Sequence, residues 1–279
     1  MKTLKESIAI AMDLNKDVAI VPFLPYIWQD FWEMGTPSEV VIDLIKLHHK
    51  NYSKCNILDL GCGKGAVSVK LASALKCNCH GIDGIDEFIE VSIAKAEEYG
   101  VANSCRFEVG DLRIKIKELD KYDVIILGAI GQVFGTYYKT LKTLSKHLKI
   151  DGIIIIADCY IEDSSTFKHP EILSYQEIIK EINQAKMELI DDVISEQSNS
   201  SEKFENLEKR CQELIRKFPE KTSLFENYLQ SQANEYEILE NKVTRSLMVL
   251  KRKRDIVQRK LPKLNVKFCL ERVPKTSTR

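Results

Sequence analysis

Residues 56–71 read Asn-Ile-Leu-Asp-Leu-Gly-Cys-Gly-Lys-Gly-Ala-Val-Ser-Val-Lys-Leu. The first five residues form a short, mostly apolar run of the length expected for a buried strand. Three glycines follow at alternate positions, Gly61, Gly63 and Gly65, and they permit a sharp turn with positive φ and close approach of a ligand to the main chain. Apolar residues at helical spacing come next. The stretch therefore predicts a strand, a glycine loop and a helix whose free N–H groups point at the loop.

The spacing of this loop distinguishes two kinds of nucleotide site. The dinucleotide fingerprint is G-x-G-x-x-G, whereas here Gly61, Gly63 and Gly65 alternate and Asp59 stands two residues before the first glycine. A carboxylate beside a pyrophosphate would repel it, but it would attract a cationic or zwitterionic ligand. The pattern therefore favours a nucleoside with a positively charged tail over NAD.

Strands and helices alternate after the loop, which indicates a parallel sheet covered by helices on both faces. A helical stretch interrupted at Pro219 separates two later strands. The predicted strands are 56–60, 78–83, 105–109, 124–127, 153–157, 187–194 and 244–250. The sequence thus predicts an α/β fold: a doubly wound, Rossmann-like, seven-stranded and mostly parallel sheet with a helical insertion, about 199–241, between the last two strands.

Carboxylates stand at the ends of the first three predicted strands. Asp83 ends the second strand about twenty residues after the glycine loop, the offset at which an acid meets the ribose hydroxyls in such folds. Gly110-Asp111-Leu112 closes the third strand. Because ligands bind outside the carboxyl ends of the strands in open α/β sheets, these acids and the glycine loop predict one crevice.

Composition narrows the class of protein. The chain has 279 residues, 44% of them hydrophobic, and a formal net charge of zero, so nothing global points to nucleic acid. Its eight cysteines show no paired C-x-x-C spacing, which indicates a reduced protein without a zinc site. The first residues, 1–16, lack the apolar core of a signal peptide, and no apolar run could span a bilayer. We therefore expect a cytoplasmic protein with no metal and no membrane contact.

Both ends of the chain carry distinctive segments. Residues 1–35 hold both tryptophans, Trp28 and Trp32, in an aromatic cluster with Tyr26. The cluster is expected to pack onto the main domain, to act as a lid over a substrate pocket, or both. Residues 251–279 form a basic tail, either a solvated terminus or a contact for a polyanion such as RNA. The helical insertion is either a solvated elaboration or a substrate cap.

Taken together, these motifs resemble the class I S-adenosylmethionine-dependent methyltransferases. Residues 59–65 resemble the first motif of that family, Gly110-Asp111-Leu112 resembles its adenine-contacting turn, and 148–152 resemble the turn before its fifth strand. The likeness is close over 56–160, and 128–135 with 158–160 resemble a subgroup that acts on small molecules. The resemblance implies a methyltransferase domain over 36–250, S-adenosylmethionine as cofactor and a small-molecule methyl acceptor.

The resemblance also implies roles for individual residues. Asp59 would lie near the ammonium of the ligand, Asp83 would accept from the ribose diol, and Asp111 would accept from the adenine amino group. The implied cofactor-binding residues are Asp59, Gly61, Gly63, Gly65, Asp83, Gly84, Asp111, Leu112, Leu127 and Gly128. A general base is needed only if the nucleophile arrives protonated. The candidates for the catalytic side are Tyr26, Gln132, Asp158 and Tyr160.

Missing motifs favour a small acceptor. No Asn/Asp-Pro-Pro-aromatic motif follows the fourth strand, no Pro-Cys pair exists, and the paired glutamates of arginine methyltransferases are absent. Three alternatives stay open: an RNA methyltransferase that uses the basic tail, an NAD(P)-dependent oxidoreductase on the same layered fold, and a non-catalytic nucleoside-binding module. Nucleic acid is thus an unfavoured partner that is not excluded, and the sequence allows a monomer or a homodimer.

Overall fold

A computed structural model describes residues 3–12, 17–195 and 200–253. Their strands form a single sheet at the centre of the molecule. In chain order the strands are β1 (Asn56–Leu60), β2 (Asn78–Asp83), β3 (Cys105–Val109), β4 (Tyr122–Gly128), β5 (Leu148–Tyr160), β6 (Met187–Ile194) and β7 (Thr244–Arg252).

The sheet has the order β3-β2-β1-β4-β5-β7-β6. Strands β1 to β5 pair in parallel, and β7 runs antiparallel to both β5 and β6. This arrangement confirms the predicted seven-stranded, mostly parallel sheet. The strand order reverses between β1 and β4, and a ligand crevice is expected at that point of an open α/β sheet.

Helices cover both faces of the sheet. In chain order they are α1 (Leu4–Ala11), α2 (Leu24–Ile27), α3 (Ser38–His48), α4 (Ala66–Leu75), α5 (Asp86–Glu98), α6 (Leu112–Lys115), α7 (Tyr137–Leu144), α8 (Tyr175–Gln184), α9 (Ser200–Lys217) and α10 (Thr222–Asn241). Alternate residues of β5 enter opposite cores: Ile153 and Ile155 lie on the side of α3, α4 and α5, whereas Ile154 and Ile156 lie on the side of α6, α7 and α8.

A third apolar cluster joins segments that are far apart in sequence. Leu24 and Ile27 of α2 are buried with Leu207 of α9 and Phe225 of α10, and Phe88 of α5 belongs to the same cluster. The insertion helices α9 and α10 therefore pack on the N-terminal segment rather than extending into solvent on all sides. The predicted helix break at Pro219 is confirmed, because α9 ends at Lys217 and α10 begins at Thr222.

One local prediction was wrong. Residues 149–152, expected as part of a turn, lie within β5, whose pairing with β4 shifts register between Tyr122 and Val124. Leu47 of α3 is apolar but 71% exposed. His48 of α3 is partly buried, and its Nε2 lies 2.6 Å from an Asp191 oxygen on β6.

The predicted basic tail extends from 251 to 279, and its residues 254–279 lie outside the described residues. Across the ranges that the structure covers, every helix is too short or too polar to cross a membrane.

Candidate functional site

The glycine loop between β1 and α4 adopts the backbone that its sequence predicts. Gly61, Gly63 and Gly65 all have positive φ, at 73°, 53° and 74°. The loop is tied to the end of β2, since the Gly61 N–H donates to the Ile82 carbonyl over 2.8 Å and the Gly63 N–H donates to Asp83 Oδ2 over 2.9 Å. The loop and the second acid therefore form one bonded unit at the carboxyl edge of the sheet.

Side chains from other segments approach the backbone of these glycines closely. A Cβ atom at Gly61 would collide with the side chain of Ile130, which follows β4. A Cβ at Gly65 would come within 2.8 Å of Ser92 on α5, and a Cβ at Gly128 would come within 2.6 Å of Thr36 Oγ1. A residue larger than glycine would therefore collide with neighbouring side chains at Gly61 and Gly65 of the loop and at Gly128 beside it.

Asp59 is buried, with 3% of its surface exposed. Its Oδ2 accepts a hydrogen bond from Ser68 Oγ of α4 over 2.7 Å. Burial, helped by the nearby charge of Asp83, raises the pKa of Asp59 to about 6, although the hydrogen bonds from Ser68 oppose the rise. No ion pair to Asp59 is found among the described residues, so its negative charge lacks a basic partner.

Asp83 ends β2 and faces the same loop. Its Oδ2 accepts from the Gly63 N–H, and its Oδ1 accepts from the Ile85 N–H over 3.0 Å. Burial raises the pKa of Asp83, although these backbone bonds oppose the rise. The Gly84 N–H also bonds this carboxylate, and the three main-chain donors leave part of its four or so lone-pair positions open to a further donor such as a ribose hydroxyl.

Asp111, at the end of β3, differs from the other two acids because it is ion-paired. Its Oδ1 accepts from both the main-chain N–H and Nε of Arg113, and its Oδ2 lies 2.6 Å from an Arg113 Nη atom. The side-chain bond to Arg113 lowers the pKa of Asp111. Three of about four lone-pair positions are thus used within the protein, which leaves one on Oδ2 for an adenine amino group.

Two of the four catalytic candidates meet beside the end of β4. Gln132 and Asp158 line a cavity of about 80 Å³ together with Tyr137 of α7. Asp158 follows Ala157, which pairs with Gly128, and the Ala129 N–H donates to the Ala157 carbonyl over 2.9 Å. The ends of β4 and β5 are therefore bonded together next to this cavity. Ala129 itself has a φ of 51°, a strained value for a residue with a Cβ.

Asp158 is held by its neighbours within this cavity. Its Oδ2 accepts from the Tyr137 hydroxyl over 2.8 Å, and its Oδ1 accepts from the Cys159 N–H. Burial raises the pKa of Asp158, while both hydrogen bonds lower it. The result is a carboxylate with a fixed orientation and free lone pairs that faces a small cleft.

The other two candidates lie elsewhere. The Tyr26 hydroxyl donates to Glu213 of α9 over 2.6 Å. Tyr160 is buried, and its ring lies against Tyr175 of α8 with 4.8 Å between the ring centroids. The structure thus brings Gln132 and Asp158 together at one cavity, whereas Tyr26 and Tyr160 do not belong to its lining.

Several residues that shape the site were not predicted from the sequence. Ser68, Arg113 and Tyr137 each bond one of the acids. Lys64, inside the glycine loop, has a buried ammonium group. Of these four residues, only Lys64 could have been found from the sequence, because it lies between two glycines of the loop. The other three act through contacts that the local sequence does not specify.

A second and larger cavity lies away from the glycine loop and the acids. A cavity of about 390 Å³ opens at the amino edge of the sheet, where Asn56, Asn78 and Tyr122 line it. It lies at the opposite end of the strands from the glycine loop and the acids. Within the described residues, no three His, Cys, Asp or Glu side chains come together as ligands of a metal ion.

These observations define a class of protein. A glycine loop after the first strand, with desolvated carboxylates at the ends of adjacent parallel strands, is the arrangement typical of nucleoside-binding proteins with a Rossmann-like fold. The unpaired charge of Asp59 fits a ligand that carries a positive group, which agrees with S-adenosylmethionine and not with a dinucleotide.

Comparison with known proteins identifies the family. The sequence model described as a methyltransferase domain matches residues 51–242, more than half of the chain. The chain therefore belongs to this family, whose class is that of the S-adenosylmethionine-dependent methyltransferases. This confirms the resemblance seen in the sequence and argues against the oxidoreductase alternative.

Two curated relatives are O-methyltransferases. The chain is 34% identical over 122 residues to a ubiquinone biosynthesis O-methyltransferase of Rickettsia canadensis, covering 43% of this chain and 49% of the relative. It is 32% identical over 149 residues to a malonyl-[acyl-carrier protein] O-methyltransferase of Bacillus cereus, covering 53% and 49%. The chain thus spans about half the length of the curated relatives it matches.

A solved structure supports the fold. The crystal structure of an S-adenosylmethionine-dependent methyltransferase from Geobacter sulfurreducens, in complex with S-adenosylhomocysteine, aligns with a TM-score of 0.69 at 19% identity. The alignment covers 83% of this chain and 98% of that one. At this identity the likeness shows a shared fold.

Proposed function

We propose that the protein transfers the methyl group of S-adenosylmethionine to an oxygen atom of a small-molecule acceptor. The observation that carries the proposal is the pair of desolvated carboxylates, Asp59 and Asp83, at adjacent strand ends around a glycine loop. Within the described chain neither acid has a cationic partner, and both have raised pKa values. A ligand with an ammonium group and a ribose diol would supply the missing donors.

Residues of this edge would bind the cofactor in distinct ways. Asp83 would accept from the ribose hydroxyls with the lone-pair positions that its main-chain donors leave open. Asp59 would face the ammonium, directly or through water. The Leu127 and Gly128 carbonyls, at the end of β4, would accept from the same ammonium. Bound there, the cofactor would supply a methyl group on a sulfonium, which is already a strong donor.

Oxygen is the proposed nucleophile because both relatives are named O-methyltransferases, and Asp158 is the proposed proton acceptor. The acceptor's O–H proton would pass to an Asp158 oxygen as the new O–CH₃ bond forms and the S–CH₃ bond breaks. Tyr137 would keep the carboxylate aimed through its 2.8 Å hydrogen bond. Most of the rate would come from placing the oxygen in line with the methyl group and excluding water.

The N-terminal segment and the insertion would together cover the acceptor. This extends the predicted lid over 1–35, and it is supported by the shared apolar cluster of α2, α9 and α10. It also agrees with the close approach of Leu4 and Ile8 to Gly84, where a Cβ would come within 3.2 Å and 3.1 Å of them.

Calorimetry tests the cofactor assignment first. The chain should bind S-adenosylhomocysteine and should show no binding of NAD⁺ or NADP⁺ at the same concentrations. Transfer of labelled methyl groups from S-adenosylmethionine to a pool of phenols, alcohols and amines then tests catalysis. Binding without transfer to any fraction of a whole metabolite extract would favour a non-catalytic nucleoside-binding module instead.

A further inference from the structure

Lys64 is a buried lysine in the middle of the glycine loop. Only 5% of its surface is exposed. Its Nζ donates to the carbonyls of Trp28 and Phe31, the latter over 2.7 Å, and lies 5.5 Å from the centre of the Phe88 ring. Both carbonyls belong to the turn that follows α2. The ammonium therefore bonds the N-terminal segment, not a carboxylate.

The bonding between loop and segment is reciprocal. The indole Nε1–H of Trp32 donates to the Lys64 carbonyl over 2.8 Å. In addition, Met34 Sδ lies 3.3 Å from where a Cβ of Gly63 would stand. Three hydrogen bonds and the contact of Met34 thus join residues 28–34 to the loop on which the cofactor is proposed to rest.

The same turn is held from its other side by the insertion. Arg210 of α9 makes a bidentate ion pair with Asp30, with N–O distances of 2.6 Å and 2.7 Å. The Trp28 indole donates to the Tyr228 hydroxyl of α10 over 2.9 Å. The turn at 28–32 therefore lies between the glycine loop and the insertion helices.

We propose that Lys64 is a positioning residue that couples the glycine loop to closure of segment 24–34, so that cofactor binding and closure are one event. The inference rests on the proposed function, since it takes the glycine loop as part of the cofactor-binding site. If the segment moved away, two carbonyls and a buried ammonium would lose their partners at once, and the loop would lose its support. Burial lowers the pKa of Lys64 to about 8, which agrees with an ammonium removed from water.

Hydrogen exchange with and without S-adenosylhomocysteine tests the coupling. Lys64→Met removes the donors and keeps the length of the side chain. Lys95→Met is the matched control, because Lys95 Nζ lies 5.2 Å from the centre of the Trp32 ring and does not bond the loop. Trp32→Phe, which removes the reverse hydrogen bond and keeps an aromatic ring beside Tyr99, serves if Lys64→Met fails to fold.

In the wild type and in Lys95→Met, S-adenosylhomocysteine should slow amide exchange over 24–34. In Lys64→Met, its affinity should fall about tenfold and the ligand should no longer slow exchange there, while circular dichroism stays native. In Trp32→Phe, the affinity and the ligand-induced slowing of exchange should both decrease, but by less than in Lys64→Met. Wild-type affinity with full ligand-induced protection in Lys64→Met would overturn the proposal.

Failure of the proposed function gives a different result. A wild-type chain that does not bind S-adenosylhomocysteine would refute the cofactor assignment, and with it the coupling. The ligand-free comparison would then still decide whether Lys64 holds the segment, because exchange over 24–34 should be faster in Lys64→Met than in Lys95→Met.

Discussion

Replacing Asp59 with asparagine should change how the stability of the protein depends on pH. Burial raises the pKa of Asp59 from 3.8 to about 6. The folded protein therefore holds a proton that the unfolded chain releases between these two values, and stability from this group falls as the pH rises through that window. At about 1.36 kcal/mol per pKa unit, the loss across the whole window is about 3 kcal/mol, of which about 2.5 kcal/mol falls between pH 4 and pH 7.

The amide side chain of the Asp59→Asn variant cannot ionise, so this part of the pH dependence should disappear. Urea unfolding of both proteins at several pH values between 4 and 7.5 gives the free energies. The difference in stability between variant and wild type should shift by about 2.5 kcal/mol in favour of Asp59→Asn from pH 4 to pH 7. Any constant cost of burying the amide cancels in this comparison. Asp43→Asn is the control, because that side chain is 79% exposed.

The same substitution should weaken binding of the cofactor. A protonated Asp59 cannot attract an ammonium, so wild-type affinity for S-adenosylhomocysteine should fall as the pH drops below about 6, approaching tenfold per pH unit well below the pKa. Asp59→Asn should bind more weakly at pH 7.5 and lose this dependence. Its affinity for 5′-methylthioadenosine, which lacks the amino-acid part, should equal that of the wild type.

Two results would refute this reasoning. Parallel stability curves for wild type and Asp59→Asn between pH 4 and pH 7 would mean that Asp59 ionises normally. Equal weakening of S-adenosylhomocysteine and 5′-methylthioadenosine would mean that Asp59 acts on the adenosine part or on the loop, not on a charged tail.

Asp83→Ala should weaken both S-adenosylhomocysteine and 5′-methylthioadenosine by about 1.5–3 kcal/mol in calorimetry, because both carry the ribose; an unchanged affinity would disprove the ribose contact. Gly61→Ala should destabilise the protein by about 2–5 kcal/mol in urea unfolding, since it adds strain at a positive φ and a clash with Ile130. Gly100→Ala, at a φ of 66° with open space around it, should show the strain alone, and equal effects would rule out the clash. Tyr137→Phe should lower the free energy of unfolding by about 1–3 kcal/mol, because it removes the hydroxyl that donates to the Asp158 carboxylate. It should also raise the pKa of Asp158. An unchanged free energy of unfolding would contradict the bond.

Much of the fold could be predicted because its signals are local. The apolar runs of β1, β4 and β5 stand between turns or charged residues, and Pro219 marks the helix break in the insertion. The alternation of strands and helices then fixes a parallel sheet, and the parallel sheet fixes which strand ends meet. This pattern therefore predicts which edge of the sheet holds Asp59 and Asp83, and it does so without information on any contact between residues.

The remainder depends on contacts between distant parts of the chain. No local pattern shows that Ile130 lies on Gly61, that Arg113 uses most of the lone pairs of Asp111, or that the Lys64 ammonium is buried. The Leu148–Gly152 segment resembled a turn, but it continues as strand because β4 tolerates a shift in register at Tyr122. Each of these features arises where two elements pack, and the sequence of either element alone does not specify it.

Burying the acids of the site lowers the free energy of unfolding, and the fold itself does not require acids at these positions. Leu58 and Leu60 flank Asp59 on β1 and are fully buried, so an apolar or amide residue at this position would suit the sheet better. Ser68 offsets only part of the desolvation of Asp59, since the pKa of the acid stays near 6. A carboxylate kept in such a place, beside a second desolvated carboxylate and a loop of three positive-φ glycines, is stabilised most by a ligand that brings a positive charge. The free-energy cost of the ligand-free site and the selectivity proposed for it, toward a cationic nucleoside, thus have the same physical origin.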